Sequence, residues 1–268
     1  MQRAALALRA DVAEDVIDVL LDLLPQGIRD REEGGAVEVV IYDSPLTVAQ
    51  LEAVAGAALL APIEVENVPG GWRERRARES RPLEIAGRIH LRRPWDPPPA
   101  TDLLDVVIER GRGFGTGSHP TTAMVLELLC SLEPDGLLAD LGCGAGVLSV
   151  AAAKLGWEPV LGLDHDMAAV EEARANVAGN GVAARIEGAD LRTDPIPEAA
   201  VVLANVNPLD IHAIIAPRLP DSVHTLVASG LVRAEVDDAL GLYAGVGLSE
   251  HRRLERNGWA AIELRRAR

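Results

Sequence analysis

Residues 137–164 pass from an apolar strand, "LLADLG", through a glycine-rich turn and the helix "GVLSVAAAKLG" to a second apolar strand, "PVLGLD", ending on Asp164. Few folds accept that succession. A strand that is apolar at nearly every position must be buried on both faces, as in parallel sheets covered by helices. Two parallel neighbours need a crossover, which the intervening helix supplies. The alternation continues: helix "MAAVEEARANVAGNG", strands "ARIEGAD" and "AVVLANV", helix "LDIHAIIAPRL", strand "HTLVASGL", helix "RAEVDDALGLYAGVG". Two charged segments, "LSEHRRLERN" and "WAAIELRR", then read as an antiparallel edge hairpin. The expected fold over 101–268 is α/β, a doubly wound Rossmann-like sheet with an antiparallel C-terminal hairpin.

The turn itself, "DLGCGAG" at 140–146, carries the chemistry. Glycines after a buried strand allow a sharp turn and bring a ligand close to backbone amides at a helix N-terminus. A nicotinamide-dinucleotide pattern wants Gly or Ala at the sixth position from Gly142, and that position is Val147. Asp164 ends the next strand, where a carboxylate accepts hydrogen bonds from both hydroxyls of a ribose. D-x-G-x-G-x-G with an acidic residue ending the second strand is the signature of S-adenosylmethionine binding; a nucleotide dehydrogenase and a non-catalytic scaffold are the alternatives. In many amino-directed methyltransferases an Asn with prolines after the fourth strand orients the attacking nitrogen. Asn205 and Asn207-Pro208 match that in part, with Leu209 where an aromatic is expected. Asn at a strand end is also a turn former, the preferred reading for Asn207.

Other candidates read more plainly. His119 precedes a proline and is expected as a loop conformer, and no second His or Cys lies at ligand spacing, so no metal is expected. Asp164-His165-Asp166 reads as a ribose carboxylate followed by a helix cap. Cys143 fills a small slot between glycines. Asp190, which ends the third strand, meets an adenine amino group or nothing.

The first seventy residues read as β-α-β-β-α-β, the ferredoxin-like split-βαβ plan, with Asp11 and Thr47 as helix caps and a Gly-Gly turn at 34–35. Val12, Val16, Val19, Leu20 and Leu23 mark the apolar face of the first helix. Residues 71–100 are expected as a linker. It begins at Trp72, carries eight Arg against three Glu over 72–93, readable as a solvated helix with i,i+4 ion pairs, and ends in "WDPPP". The net charge of −15 argues against direct binding of nucleic acid and suits a basic partner. No apolar run reaches the roughly 20 residues of a membrane helix. Two cysteines, and an N-terminus without signal-peptide features, point to the cytoplasm. A monomer is expected.

"GFGTGSHPTT", "DLGCGAGVLSVAAAKLG", "GLDHDMAAVEEARANVAGNGV", "LANV" and "LVASGLV", in that order, resemble the bacterial methyltransferases of large-subunit ribosomal protein L-eleven (the PrmA type). The similarity is close over 113–231 and looser through "WRERRARESRPLEIAGRIHLRRPW". It implies a class I S-adenosylmethionine-dependent fold with a ferredoxin-like substrate-recognition module before it. It implies that Thr122, Gly142, Asp164 and Asn205 bind S-adenosylmethionine, with Gly144, Phe114 and Thr116 nearby and residues 110–122 as wall and lid. The acceptor implied is an amine of a basic ribosomal protein; another protein, a small molecule, or binding without turnover are the alternatives. The family continues its Asn with Ile-Leu, whereas this chain has Val206-Asn207-Pro208. A lysine of pKa near 10.4 needs about 4.6 kcal/mol to be neutral at pH 7, an α-amine near 8 only about 1.4. A dry pocket and an adjacent cation both lower an amine's pKa, so no general base is assigned.

Overall fold

The structure, a computed structural model, describes residues 2–24, 29–33, 36–42, 44–67, 82–109 and 119–266. The chain divides into two compact units, 1–80 and 81–268.

The first unit contains β1 (Gln2–Arg9), α1 (Ala13–Leu23), β2 (Arg29–Glu33), β3 (Ala36–Tyr42), α2 (Val48–Ala55) and β4 (Glu64–Asn67). The expected β-α-β-β-α-β succession is the one observed, in sheet order β2-β3-β1-β4 with every neighbouring pair antiparallel. Alternate residues Leu6, Leu8, Val39 and Ile41 face the helices and form a core with Leu20, Leu24, Leu51 and Ala55. Thr47 caps α2 as expected, in a reciprocal box with Gln50. Asp11 lies in a short 3-10 turn (Ala10–Val12), and the residue at the N-cap position of α1 is Val12. On α1 the buried stripe is Ala13, Val16 and Leu20, while Val19 and Leu23 stay about half exposed. At 100° per residue those two sit on the flank of the helix, and the sheet covers one side only. The Gly-Gly turn at 34–35 lies outside the described residues.

The second unit is built on a seven-stranded sheet in the order β10-β9-β8-β11-β12-β14-β13. Its strands are β8 (Leu138–Leu141), β9 (Val160–Asp164), β10 (Arg185–Gly188), β11 (Val201–Asn205), β12 (Thr225–Val232), β13 (Leu248–Arg256) and β14 (Trp259–Arg266). The first five are mutually parallel; β14 is antiparallel to β12, and β13 to β14. The helices are α3 (Pro120–Leu129), α4 (Val147–Lys154), α5 (Met167–Gly179), α6 (Leu209–Ile215) and α7 (Val236–Ala244).

Strand side chains alternate between two separate cores. Leu138, Val201, Leu203 and Val227 join α3, α4 and α5; Ala139, Val202, Ala204 and Leu226 join α6 and α7. This two-sided burial is why the strands read as continuous apolar runs.

Residues 83–107 add β5 (Leu83–Ile85), β6 (Ile89–Arg92) and β7 (Leu104–Val107), a small sheet packed on the first of these cores. Two of the linker arginines therefore stand in the turn before β6 (Arg88) and on β6 itself (Arg92) rather than on a solvated helix face. Arg88 donates to the Cys130 carbonyl, and Arg92 grips Asp105 through two bonds of 2.7 and 2.8 Å. The stretch from Trp72 to Arg81, where the linker helix was expected, lies outside the described residues.

Chain order reverses between β8 and β11, which lie side by side although β9 and β10 come between them in sequence. The carboxyl ends of strands flanking such a switch point open a ligand crevice.

One backbone detail shapes that edge. Gly230 forms a bulge in β12 with φ of +84°, and a Cβ there would lie 2.2 Å from the Val206 carbonyl oxygen. Gly230→Ala is expected to lose about 3 kcal/mol of unfolding free energy in urea titration, from left-handed strain and backbone collision; a loss under about 0.5 kcal/mol would contradict this packing.

Candidate active site

The glycine turn leaves β8 and is pinned to the end of β9. The amides of Gly142 and Cys143 both donate to the Leu163 carbonyl, at 2.8 and 2.9 Å. Gly142, Gly144 and Gly146 have φ of +72°, +52° and +79°, conformations in which a side chain is strained. Gly142 is constrained further, because a Cβ there would meet Val206 Cγ1 at 2.6 Å. The turn and the residue following Asn205 are thus packed against each other.

Asp164 stands where β9 ends, its side chain 11 % exposed. One carboxylate oxygen accepts from the Gly144 amide at 2.8 Å, the other from the Asp166 amide at 3.0 Å. Each oxygen keeps a second acceptor site, which is what a diol requires. Asp166 caps α5 through Ala168, as the sequence suggested.

On the other side of the switch point, Asn205 ends β11 and donates through Nδ2 to Thr122 Oγ1 at 3.3 Å. Its Oδ1 is buried and has no partner. Thr122 is fully buried on α3. Of the residues singled out from sequence, Gly144 and Asp164 meet directly, Thr122 and Asn205 meet directly, and Val206 links Gly142 to the second pair. Phe114 and Thr116 lie outside the described residues. Asn207 is exposed in the turn to α6, and Asp190 is occupied with its own turn through the Arg192 amide. His119 has the expected extended, non-helical backbone and also serves as the N-cap of α3: Nδ1 lies 2.7 Å from Thr121 Oγ1, and the ring stands edge-on to Trp259. Cys143 is buried with its thiol pushed far up by desolvation, so it is an inert packing group.

Three groups include residues not singled out in the sequence. Asn176, on α5, donates to the Ala145 carbonyl in the glycine turn at 2.9 Å and to the Glu109 carbonyl at 3.2 Å, and accepts from the Glu109 amide. Asn180, one turn on, satisfies both backbone groups of Val107. The signal was Asn176 inside a helix, where Asn is disfavoured, with a second asparagine four residues on at the C-cap. The third group is the pair of Asp140 and Ser149, bonded at 2.7 Å inside the core.

No helix among the described residues is long and apolar enough to cross a membrane. Two surface hollows of about 330 and 350 Å³ lie at the opposite ends of the strands, around Pro159 and Trp157, and contain none of these groups.

The arrangement fits S-adenosylmethionine. Asp164 offers acceptors for sugar hydroxyls, the turn admits close approach to backbone, and the donor-less Asn205 Oδ1 calls for an N–H. A family model described as ribosomal protein L11 methyltransferase (PrmA) matches residues 42–267. The chain belongs to that family. A relative from Dechloromonas aromatica named ribosomal protein L11 methyltransferase is 36% identical over 217 residues, 77% of this chain and 72% of its own length. One of that name from Klebsiella pneumoniae is 33% identical over 208 residues, 75% and 71%. One from Vibrio campbellii is 36% identical over 176 residues, 64% of this chain and 60% of its own length. The solved ribosomal protein L11 methylase of Lactobacillus delbrueckii subsp. bulgaricus superposes with a TM-score of 0.62 over 70% of this chain and all of its own, at 21% identity, and shows the shared fold. S-adenosylmethionine is the cofactor of this family and fold.

Burial pushes the Asp140 carboxyl up to about 7, against the Ser149 hydrogen bond, which lowers it. The folded protein then keeps that proton up to about pH 7, whereas the unfolded chain loses it near 4. Stability from this group falls as pH rises from about 4 to 7 and is level above. Chemical denaturation of the ligand-free protein at pH 5 and pH 8 should show a smaller difference in Asp140→Asn than in the parent; equal differences would show Asp140 ionised in the fold.

Proposed function

We propose that this chain transfers methyl groups from S-adenosylmethionine to amino groups, lysine or α-amino, of ribosomal protein L-eleven in the cytoplasm. The observation that carries the proposal is the pairing of the Asp164–Gly144 contact with the buried, donor-less Asn205 Oδ1 across one switch point, in a chain of this family.

That geometry supports the following residue roles. Asp164 holds the ribose hydroxyls. Gly142 and Gly144 give the cofactor access to the backbone. Thr122 fixes the Asn205 amide by accepting from Nδ2, which leaves Oδ1 for an ammonium of the cofactor or for the acceptor amine. The bound cofactor supplies a methyl group already activated on a positively charged sulfur. The protein's task is therefore alignment, which raises rate without acid–base catalysis.

The substrate is proposed to be read by residues 1–70. They hold thirteen acidic side chains against four arginines, a net −9 out of −15 for the whole chain. A field of that sign attracts a basic protein, and salt weakens the attraction.

Two measurements test this. Asp164→Ala should weaken cofactor uptake at least about 100-fold by calorimetry, since two hydrogen bonds to a charged group are worth about 1.5–3 kcal/mol each; unchanged uptake rejects the ribose role. Radiolabelled cofactor incubated with undermethylated ribosomal proteins should label a large-subunit protein on nitrogen. Label found only on RNA or small molecules, or uptake without any transfer, would replace the proposal with a different acceptor or a non-catalytic binding module.

A further inference from the structure

His212 is the one fully buried histidine of the described residues, on α6 and facing the strand edge that carries Asn205. Its Nε2 lies 3.1 Å from two carbonyl oxygens, those of Val206 and Ser229. Carbonyls only accept, so Nε2 carries the hydrogen and shares it between them. Burial holds the ring neutral, so Nδ1 is an acceptor, and Tyr243 Oη donates to it at 2.7 Å. Tyr243, on α7, is itself fully buried, and its ring stands edge-on to the imidazole.

What His212 grips is specific. Ser229 is the strand neighbour of Asn205, and its carbonyl also accepts from the Val206 amide at 3.1 Å. Val206 follows Asn205, its side chain packs where a Cβ on Gly142 would be, and its carbonyl crosses the Gly230 bulge. The imidazole hydrogen therefore closes a three-point clasp on the first residue after β11. An ordinary helix-on-sheet contact would have used an aliphatic side chain here, as Ile215 does on the same helix.

We propose that His212, oriented by Tyr243, is a positioning residue for methyl transfer: it holds the Val206 turn and thereby the Asn205 amide against the acceptor side of the site. This rests on the transfer reading above, while the clasp itself is testable without it.

The variants are His212→Leu, which removes the donor, His212→Gln, whose side-chain amide restores an N–H at similar reach, and Tyr243→Phe, which frees the ring. On ligand-free protein, amide hydrogen exchange at Val206 should rise at least tenfold in His212→Leu and return to within threefold of the parent in His212→Gln, with residues 201–204 of β11 unchanged. On the loaded enzyme, kcat for the protein acceptor should fall at least tenfold in His212→Leu, with the cofactor dissociation constant within threefold, and recover in His212→Gln. Tyr243→Phe should move both readouts in the same direction by a smaller factor. If His212→Leu does not fold, Tyr243→Phe against His212→Gln decides. Unchanged Val206 exchange in the folded variants, or faster exchange with an unchanged kcat, overturns the proposal. A parent protein that transfers no methyl group at all defeats the transfer reading, and the exchange data still decide the clasp.

Discussion

One carboxylate joins the two strand ends on which this site is built. Asp164 terminates β9, yet it accepts from Gly144, in the turn that follows β8, and from Asp166, at the start of α5. The turn is thereby fixed before any ligand arrives, its Gly142, Cys143 and Gly144 amides bonded within the protein, and the carboxylate is held in a single orientation. Without that grip the glycine turn, rich in accessible conformations, would bear the entropy of ordering at the moment of binding. The two amides from the same turn on the Leu163 carbonyl serve the same end.

The other half of the site depends on side chains placed far apart in sequence. Asn205 is set by Thr122 on one flank and, through the backbone that follows it, by His212 and Ser229 on the other. Asn176 ties the turn at Ala145 to the strand end at Glu109. These are polar groups inside an apolar shell, each nearly fully bonded, a condition under which hydrogen bonds confer geometry rather than merely stability. Asp140 and Asn205 each keep one buried oxygen without a hydrogen-bond partner, and both flank the switch point.

Much of this was legible in the sequence, for identifiable reasons. Uninterrupted apolar strands implied burial on both faces, and alternating helices implied a parallel sheet. Gly142, Gly144 and Asp164 stood out because glycine and a strand-terminal acid have local meanings. The 72–93 arginines were harder to place, since a charge run does not say whether its partner is water, Asp105 or a carbonyl such as that of Cys130. The half-exposed Val19 and Leu23 show a related ambiguity: periodicity marks an apolar stripe but not its width. Asn176 and His212 escaped notice because each has a partner far along the chain, Glu109 at 67 residues and Tyr243 at 31. A lone polar residue in an apolar helix signals that some partner exists without saying which.

Strand β14 follows every other strand in the chain yet lies inside the sheet, between β12 and β13. Helix α3, which carries Thr122, packs on β12 and β14, and its cap His119 rests on Trp259, the first residue of β14. An early part of the catalytic unit therefore gains its final seat from a segment about 140 residues downstream. The Thr122 half of the site thus takes its final seat only once β14 has docked, whereas the Asp164–Gly144 contact is made without that strand.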